Sequence, residues 1–517
     1  MSDGYVTVAQ CVEGLPLGRF VWEMLICAWL AWFLLGAINE STPLSFSFVS
    51  TEWAMTEQCA LAMSAALAVG NFLSIILAGW VADRAGRLMV IQMALVMTAA
   101  CGMLLQTART FPQAVAARLV LGLVSGGLLS TVPPLIAELL PSRSRGFYLT
   151  IWCCGWPAGS LFAIGIGFLL PGVNWRTFDT VMLMPAVMLY VCTRADMLIE
   201  SPRYLYLAGR REEGYNALMD MYEKEEIPLP WATETIAITT APPRPTPEGK
   251  RFAASHLGVA LWLALAMFAA SAAAQSMKLW MPTLLLAQEA DITAENGAEV
   301  PPGTDASRIT DFDFANGPHA MSFLSLVRAP LMMAVPDYTV MRILAEGYII
   351  EIMGIVACAY LSDWVFRRQM IQWALLAASA LTLLALAAAA GGWTRLCGPI
   401  LGLQLAAQAC GLNFLQAFAC EHFPTSRRAK ATAFVIFVAQ LGNLAIPAIG
   451  GLIVHHFSAS YAVVFFSSLY LVSWGATCRL PLPSSPETPL HDVDEAAVMR
   501  ESASHARKRA WNNYQTL

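Results

Sequence analysis

Apolar residues run along this chain in windows of about 20, the length that crosses roughly 30 Å of hydrocarbon, and polar residues gather in the gaps between them. Twelve windows predict helices, over 21–43, 54–78, 88–108, 112–139, 146–170, 177–197, 256–284, 339–361, 369–391, 394–419, 428–455 and 459–480. The pattern is that of an all-α membrane protein: a terminal segment (1–20), six spans (21–197), a polar stretch (198–255), six more spans (256–480, including a loop at 285–337) and a polar tail (481–517). The central stretch predicts short helices over 210–226, then a semi-rigid tether, "APPRPTPEGK". The 285–337 loop holds "NGAEVPPGTD" and "FANGPH", whose Gly, Pro and Asn favour turns over a packed domain. The tail closes on "HARKRAWNNYQTL", read as a solvated basic segment that could touch anionic lipid.

Composition agrees with that division. Of the 517 residues, 57% are hydrophobic and 13% charged, and the mean hydropathy of +0.56 excludes a soluble globular protein. With both termini placed in the cytosol, 23 of the 31 Lys and Arg fall on the inner side, which satisfies the positive-inside rule. The net charge of −5 is thus split between two faces and points to no nucleic-acid partner. Twelve cysteines, mostly in apolar windows and without a CxxC pair, predict small packing residues and no metal site. The N-terminus shows no removable signal peptide. No phosphate loop and no nucleophile–base arrangement stands in the soluble segments, so neither catalysis nor a cofactor is expected.

The strongest local motif is "GWVADRAGR", Gly79 to Arg87, at the inner end of the second span. Gly79 permits close helix approach, while Asp83, Arg84 and Arg87 sit around Gly86 in a compact charged turn. "LSDWVFRR", with Asp363, Arg367 and Arg368, repeats the acid-then-basic order after the eighth span and indicates an internal duplication. G-x-x-x-D-R-x-G-R at this place resembles the signature of the major facilitator superfamily, and the resemblance covers essentially the whole chain. It implies twelve spans in two six-helix bundles, a cytosolic charge latch between them, and a central cavity lined by spans one, four, seven and ten. "RLVLGLVSGG", "AELLPSRSRG", "ESPRYL", "GWPAGSLF", "KLWMPTLL" and "EHFPTSRR" look closest to the synaptic-vesicle-protein-related branch, beside the organic-ion and sugar porters. Within these matches Glu138, Arg145, Glu200 and Arg203 inherit gating roles with the loop residues. Gln440 stands where that branch often has arginine, and "AINEST" in span one departs from its pattern, so substrate charge is not carried over.

Charged groups within a span are costly and mark functional candidates. Here these are Glu40, Arg118, Lys278, Glu346 and Glu351. Glu351 stands twelve residues, about 18 Å of helix, from Asp363, which places it near mid-membrane. Glu346 is about 7 Å further out and turned by roughly 140°, so the two acids face different ways and only one can meet Lys278. Glu40 either reaches headgroups or joins the site; Arg118 either packs its helix or takes part in substrate or proton chemistry. Trp32, Gln275, Gln404, Gln408 and Gln440 form a second polar and aromatic layer, with Gln404 and Gln408 on one helix face. The expectation is a secondary active transporter of a small organic solute, working by alternating access with proton or ion coupling; the alternative is a membrane scaffold or receptor that keeps the carrier fold. Its expected partners are that solute, a coupling ion and the lipid of a plasma or vesicle membrane.

Overall fold

The computed structural model describes residues 8–52, 57–141, 144–169, 174–227, 257–278, 338–362, 364–390, 394–423, 425–456 and 459–481. The 285–337 loop, the proline-rich tether, the tail after 481 and Asp363 lie outside the described residues. A short helix α1 (Val8–Glu13) precedes α2 (Arg19–Glu52), α3 (Glu57–Ala85), α4 (Arg87–Thr107) and α5 (Phe111–Leu139). Helix α6 (Arg145–Ile151) runs through a 3-10 turn (Trp152–Cys154) into α7 (Gly155–Leu169), followed by α8 (Trp175–Arg194), α9 (Pro202–Leu207) and α10 (Arg211–Lys224). The second half comprises α11 (Leu257–Lys278), α12 (Tyr338–Leu361), α13 (Arg367–Ala390), α14 (Thr394–His422), α15 (Thr425–His456) and α16 (Ala459–Thr477).

Every predicted window holds a helix, but only ten described helices are both long and apolar enough to cross a bilayer. The other two windows hold α8, which carries Arg176, Asp179 and Arg194, and α14, which carries Arg395, Gln404 and Gln408. These residues lower hydropathy without shortening the helix, and Asp179, Gln404 and Gln408 are satisfied against other helices rather than lipid. A second difference concerns the first span. Helix α2 continues past Pro43 to Glu52, so Glu40 lies about 18 Å short of the helix end instead of at its rim.

Small residues decide which helices touch. A Cβ on Gly36 of α2 would stand 2.1 Å from the Trp156 carbonyl oxygen, and one on Gly159 of α7 would stand 2.0 Å from that of Phe33. These backbones are in direct contact, as small-residue seams allow. Gly70, Gly122 and Gly126 do the same between α3 and α5. Between the halves, α3 meets α15, α5 meets α14, and α12 packs along α6 and α7. The polar stretch is anchored to the first span: backbone N–H groups of Arg19 and Phe20 donate to the Glu225 carboxylate at 3.1 and 2.9 Å, capping α2. Lys224 pairs with Glu23 at 2.9 Å, and the Tyr222 hydroxyl donates to the Cys11 carbonyl at 2.8 Å, holding α1 beneath the bundle.

Candidate functional site

Lys278 ends α11, and its ammonium lies 3.9 Å from a carboxylate oxygen of Glu351 on α12. Glu351, not Glu346, therefore meets Lys278. Glu346 lies on an exposed face, where it pairs with Arg342 one turn earlier at 2.8 Å. The Glu351 side chain is buried, and the oxygen nearest Lys278 accepts no hydrogen bond among the described residues. One turn before it, Tyr348 presents its ring 5.4 Å from the Lys278 ammonium and donates its hydroxyl to Glu40 at 2.7 Å. Glu40 belongs to α2, so this bond crosses from the first half of the chain to the second.

Aromatic rings stand two to three turns earlier on α2, on the face that carries Glu40. The Phe33 ring centroid lies 5.1 Å from Trp29 and 5.4 Å from Phe162 of α7, and all three side chains are half-buried. Trp32 turns away; it is buried against Trp152, with centroids 4.3 Å apart. The Gly36 and Gly159 seam sets these rings side by side, because it removes the side chains that would separate α2 from α7.

Arg118 forms a separate buried center. Its guanidinium donates to Asp179 of α8 at 2.5 Å, to Thr42 at 2.9 Å and to Ser45 at 2.7 Å, joining three helices of the first half. Both charged side chains are shielded from solvent. An acid three residues into the sixth predicted window was the available signal for Asp179, which the sequence reading passed over. The amide layer is not one surface. Gln404 donates to Gln408 and to the Tyr470 hydroxyl, both at 3.0 Å, and Tyr470 donates to Gln408 at 2.6 Å, all buried between α14 and α16. Gln440 accepts from its neighbour Asn443 at 3.0 Å, while Gln275 is exposed.

The charged motif residues converge at the opposite end. Glu138 at the end of α5 accepts from Arg87 at 3.0 Å and from Arg428 of α15 at 2.7 Å, with none of the three side chains exposed. Asp83 faces Lys430 at 3.6 Å, and Gly79 brings α3 against α15, where an added Cβ would lie 2.6 Å from that of Ala433. Gly86 adopts φ +102, a left-handed turn that favours glycine, and a side chain there would also strike Glu200. Glu200 accepts from the Leu88 N–H at 3.0 Å and so caps α4. Burial pushes its carboxyl up from the ordinary range, against the pull of Arg87 and of the N–H groups of Ser201, Leu88 and Arg87. Arg145 donates to the Leu140 carbonyl at 3.0 Å and lies 3.5 Å from Glu13. Arg367 pairs with Glu421 at 3.4 Å and lies against Gly146 of the other half. Arg203 is buried nearby. Two motif residues stand aside: Arg84 is exposed and stacks on its own helix's Trp80, and Arg368 donates to the carbonyls of Cys478 and Leu480.

Residues 24–241 match the family described as "Sugar (and other) transporter", and residues 343–514 match "Major Facilitator Superfamily". Among curated proteins, the chain is 26% identical over 294 residues to the niacin transporter NiaP of Acinetobacter baylyi, covering 54% of this chain and 62% of that one. It is 24% identical over 230 residues to the synaptic vesicle 2-related protein of Rattus norvegicus, covering 44% and 41%. The organic cation/carnitine transporter 7 of Arabidopsis thaliana is 26% identical over 239 residues, covering 44% and 46%. The chain thus spans less than two thirds of the length of each of these relatives. In fold, it superimposes on the proton:xylose symporter XylE bound to 6-bromo-6-deoxy-D-glucose with a TM-score of 0.66 at 16% identity, covering 92% of this chain and 98% of the other.

Proposed function

Because the chain belongs to the major facilitator superfamily, a family of membrane carriers rather than enzymes, we propose that it moves a small organic solute across a membrane by alternating access between its two halves. The observation that carries this reading is the Glu40, Tyr348, Lys278 and Glu351 cluster. It draws on both halves at once, and a group bound there would feel their relative movement. The Glu138, Asp83 and Arg367 contacts would hold the far end shut while this cluster faces the other compartment. With the basic loops in the cytosol, the closed end is the cytosolic one, and both termini lie on that side.

Coupling is assigned to Glu351, whose buried carboxylate requires a counter-charge or a proton. Reconstitution into proteoliposomes tests the reading, with uptake of a panel of small organic ions and sugars followed with and without a pH gradient. Accumulation of at least one solute is expected. Glu351→Gln should abolish uptake against a gradient while leaving downhill exchange. Failure of every solute with a folded, correctly inserted protein sinks the proposal and favours the scaffold alternative.

A further inference from the structure

The charges around Glu351 do not balance. The titratable groups facing it are Lys278 from α11, Glu40 from α2, Cys154 from the turn before α7, Cys410 from α14 and, on its own helix, Tyr348. Thiols and a phenol are neutral, so two carboxylates are set against one ammonium and one negative charge is left over among the described residues. The ammonium lies nearest Glu351 and Glu40 has the Tyr348 hydroxyl, a donor without charge. An unmatched charge in a shielded place is expensive, and the site relieves it by taking up one positive charge from outside.

Two further features favour an organic source for that charge. The Glu351 oxygen facing the cluster has an unused acceptor position. On the face of α2 that carries Glu40, two to three turns earlier, the half-buried rings of Trp29 and Phe33, the latter paired with Phe162, offer aromatic faces to an apolar cation. An anion would meet the opposite: it would add to the surplus negative charge and could enter only after both carboxylates were neutralised. We propose, on the carrier reading above, that this cluster binds an organic monocation in competition with a single proton. Cation entry then releases the proton, cation and proton occupy the site in turn, and movement of one down its gradient drives the other the opposite way.

The full chain in nanodiscs is titrated with 1-methyl-4-phenylpyridinium, tetraethylammonium and nicotinate from mildly acid to mildly alkaline pH. Wild-type protein should bind at least one of the cations, with Kd falling about tenfold for each pH unit gained on the acid side, and should release about one proton per cation into weakly buffered solution. Lys278→Met removes the competing ammonium and should tighten cation binding by about tenfold, whereas loss of a merely structural lysine would weaken it. Glu351→Gln should remove the proton release. Neither cation binding, or cations binding without proton release, overturns the assignment; so does nicotinate binding alone. Nicotinate accumulation in proteoliposomes alongside blindness to cations would leave the carrier reading standing. Proton-linked cation binding without transport of any solute would do the reverse.

Discussion

Glu138 accepts from two arginines that come from different halves of the chain, and neither the acid nor the arginines see solvent. Removing the charge from one member of such a set strands the others, at a cost of about 3–5 kcal/mol. Glu138→Gln should lower the thermal midpoint of the purified protein sharply, while Glu346→Gln, at an exposed pair with Arg342, should leave it within experimental error. The Arg118 and Asp179 pair allows a finer separation, because geometry assigns both a stabilising role within the first half. Asp179→Asn should destabilise by about 3 kcal/mol, and the double replacement Arg118→Met with Asp179→Leu should recover most of the loss, since a matched apolar pair leaves no stranded charge. Equal losses in single and double variants would show that Arg118 owes its stability to Thr42 and Ser45 instead. Which acids fall inside spans was legible from the sequence, and the five-residue spacing correctly separated Glu346 from Glu351. Which acid meets Lys278 was not, because that depends on how α12 is rotated against α11, a packing outcome without local signature. Tyr348 escaped notice for a related reason: a lone tyrosine in an aliphatic run reads as packing until a carboxylate from another helix is found at its hydroxyl.

Among the elements, window length and apolarity located a helix in every predicted window and ten helices able to cross a bilayer among the described residues, since lipid imposes a minimum length on any crossing helix. The first window, 21–43, matches the apolar stretch Arg19–Thr42, but the helix itself runs on to Glu52. "NEST" looks like a polar exit, yet Ser41, Thr42 and Ser45 each donate to a backbone carbonyl of their own helix, so α2 continues through Pro43. Contact seams were legible only as glycine-rich strings; which string meets which required the fold. Where α2 meets α7, a Cβ on Gly159 would fall on the backbone carbonyl of Phe33, an atom that cannot swing aside. Gly159→Ala should therefore cost about 1–3 kcal/mol and disturb the Phe33 and Phe162 ring pair. Gly165→Ala on the same helix meets nothing within 4 Å and should be tolerated. Comparable thermal midpoints for the two variants would contradict this account of the α2 and α7 seam.

For the molecule as a whole, what matters is the opposition between two ends. The proposed cytosolic end is tied by Asp83 with Lys430, by Glu138 with Arg428 and by Arg367 against Gly146; toward the other end, deeper in the bundle, the Tyr348 bond to Glu40 joins α12 to α2. In a rocking two-half carrier, weakening either set should favour the state in which that end is open. A hydrogen bond to a charged group is worth about 1.5–3 kcal/mol, enough to move a two-state ratio by roughly ten- to a hundredfold. Asp83→Lys places like charges opposite Lys430, and adding Lys430→Asp restores an opposite-charge pair in reversed order. Spin labels on the exposed positions Arg84 and Phe434 report the separation of α3 and α15 at that end. Asp83→Lys should populate a longer distance, the double swap should return it toward wild type, and Tyr348→Phe should leave the short distance dominant while loosening the α2 to α12 side. A long distance that persists in the double swap would mean that the Asp83 position acts through packing against α15 rather than through charge. Movement of both ends together in any of these variants would contradict the alternating mechanism itself, because a carrier of this kind closes one end as it opens the other.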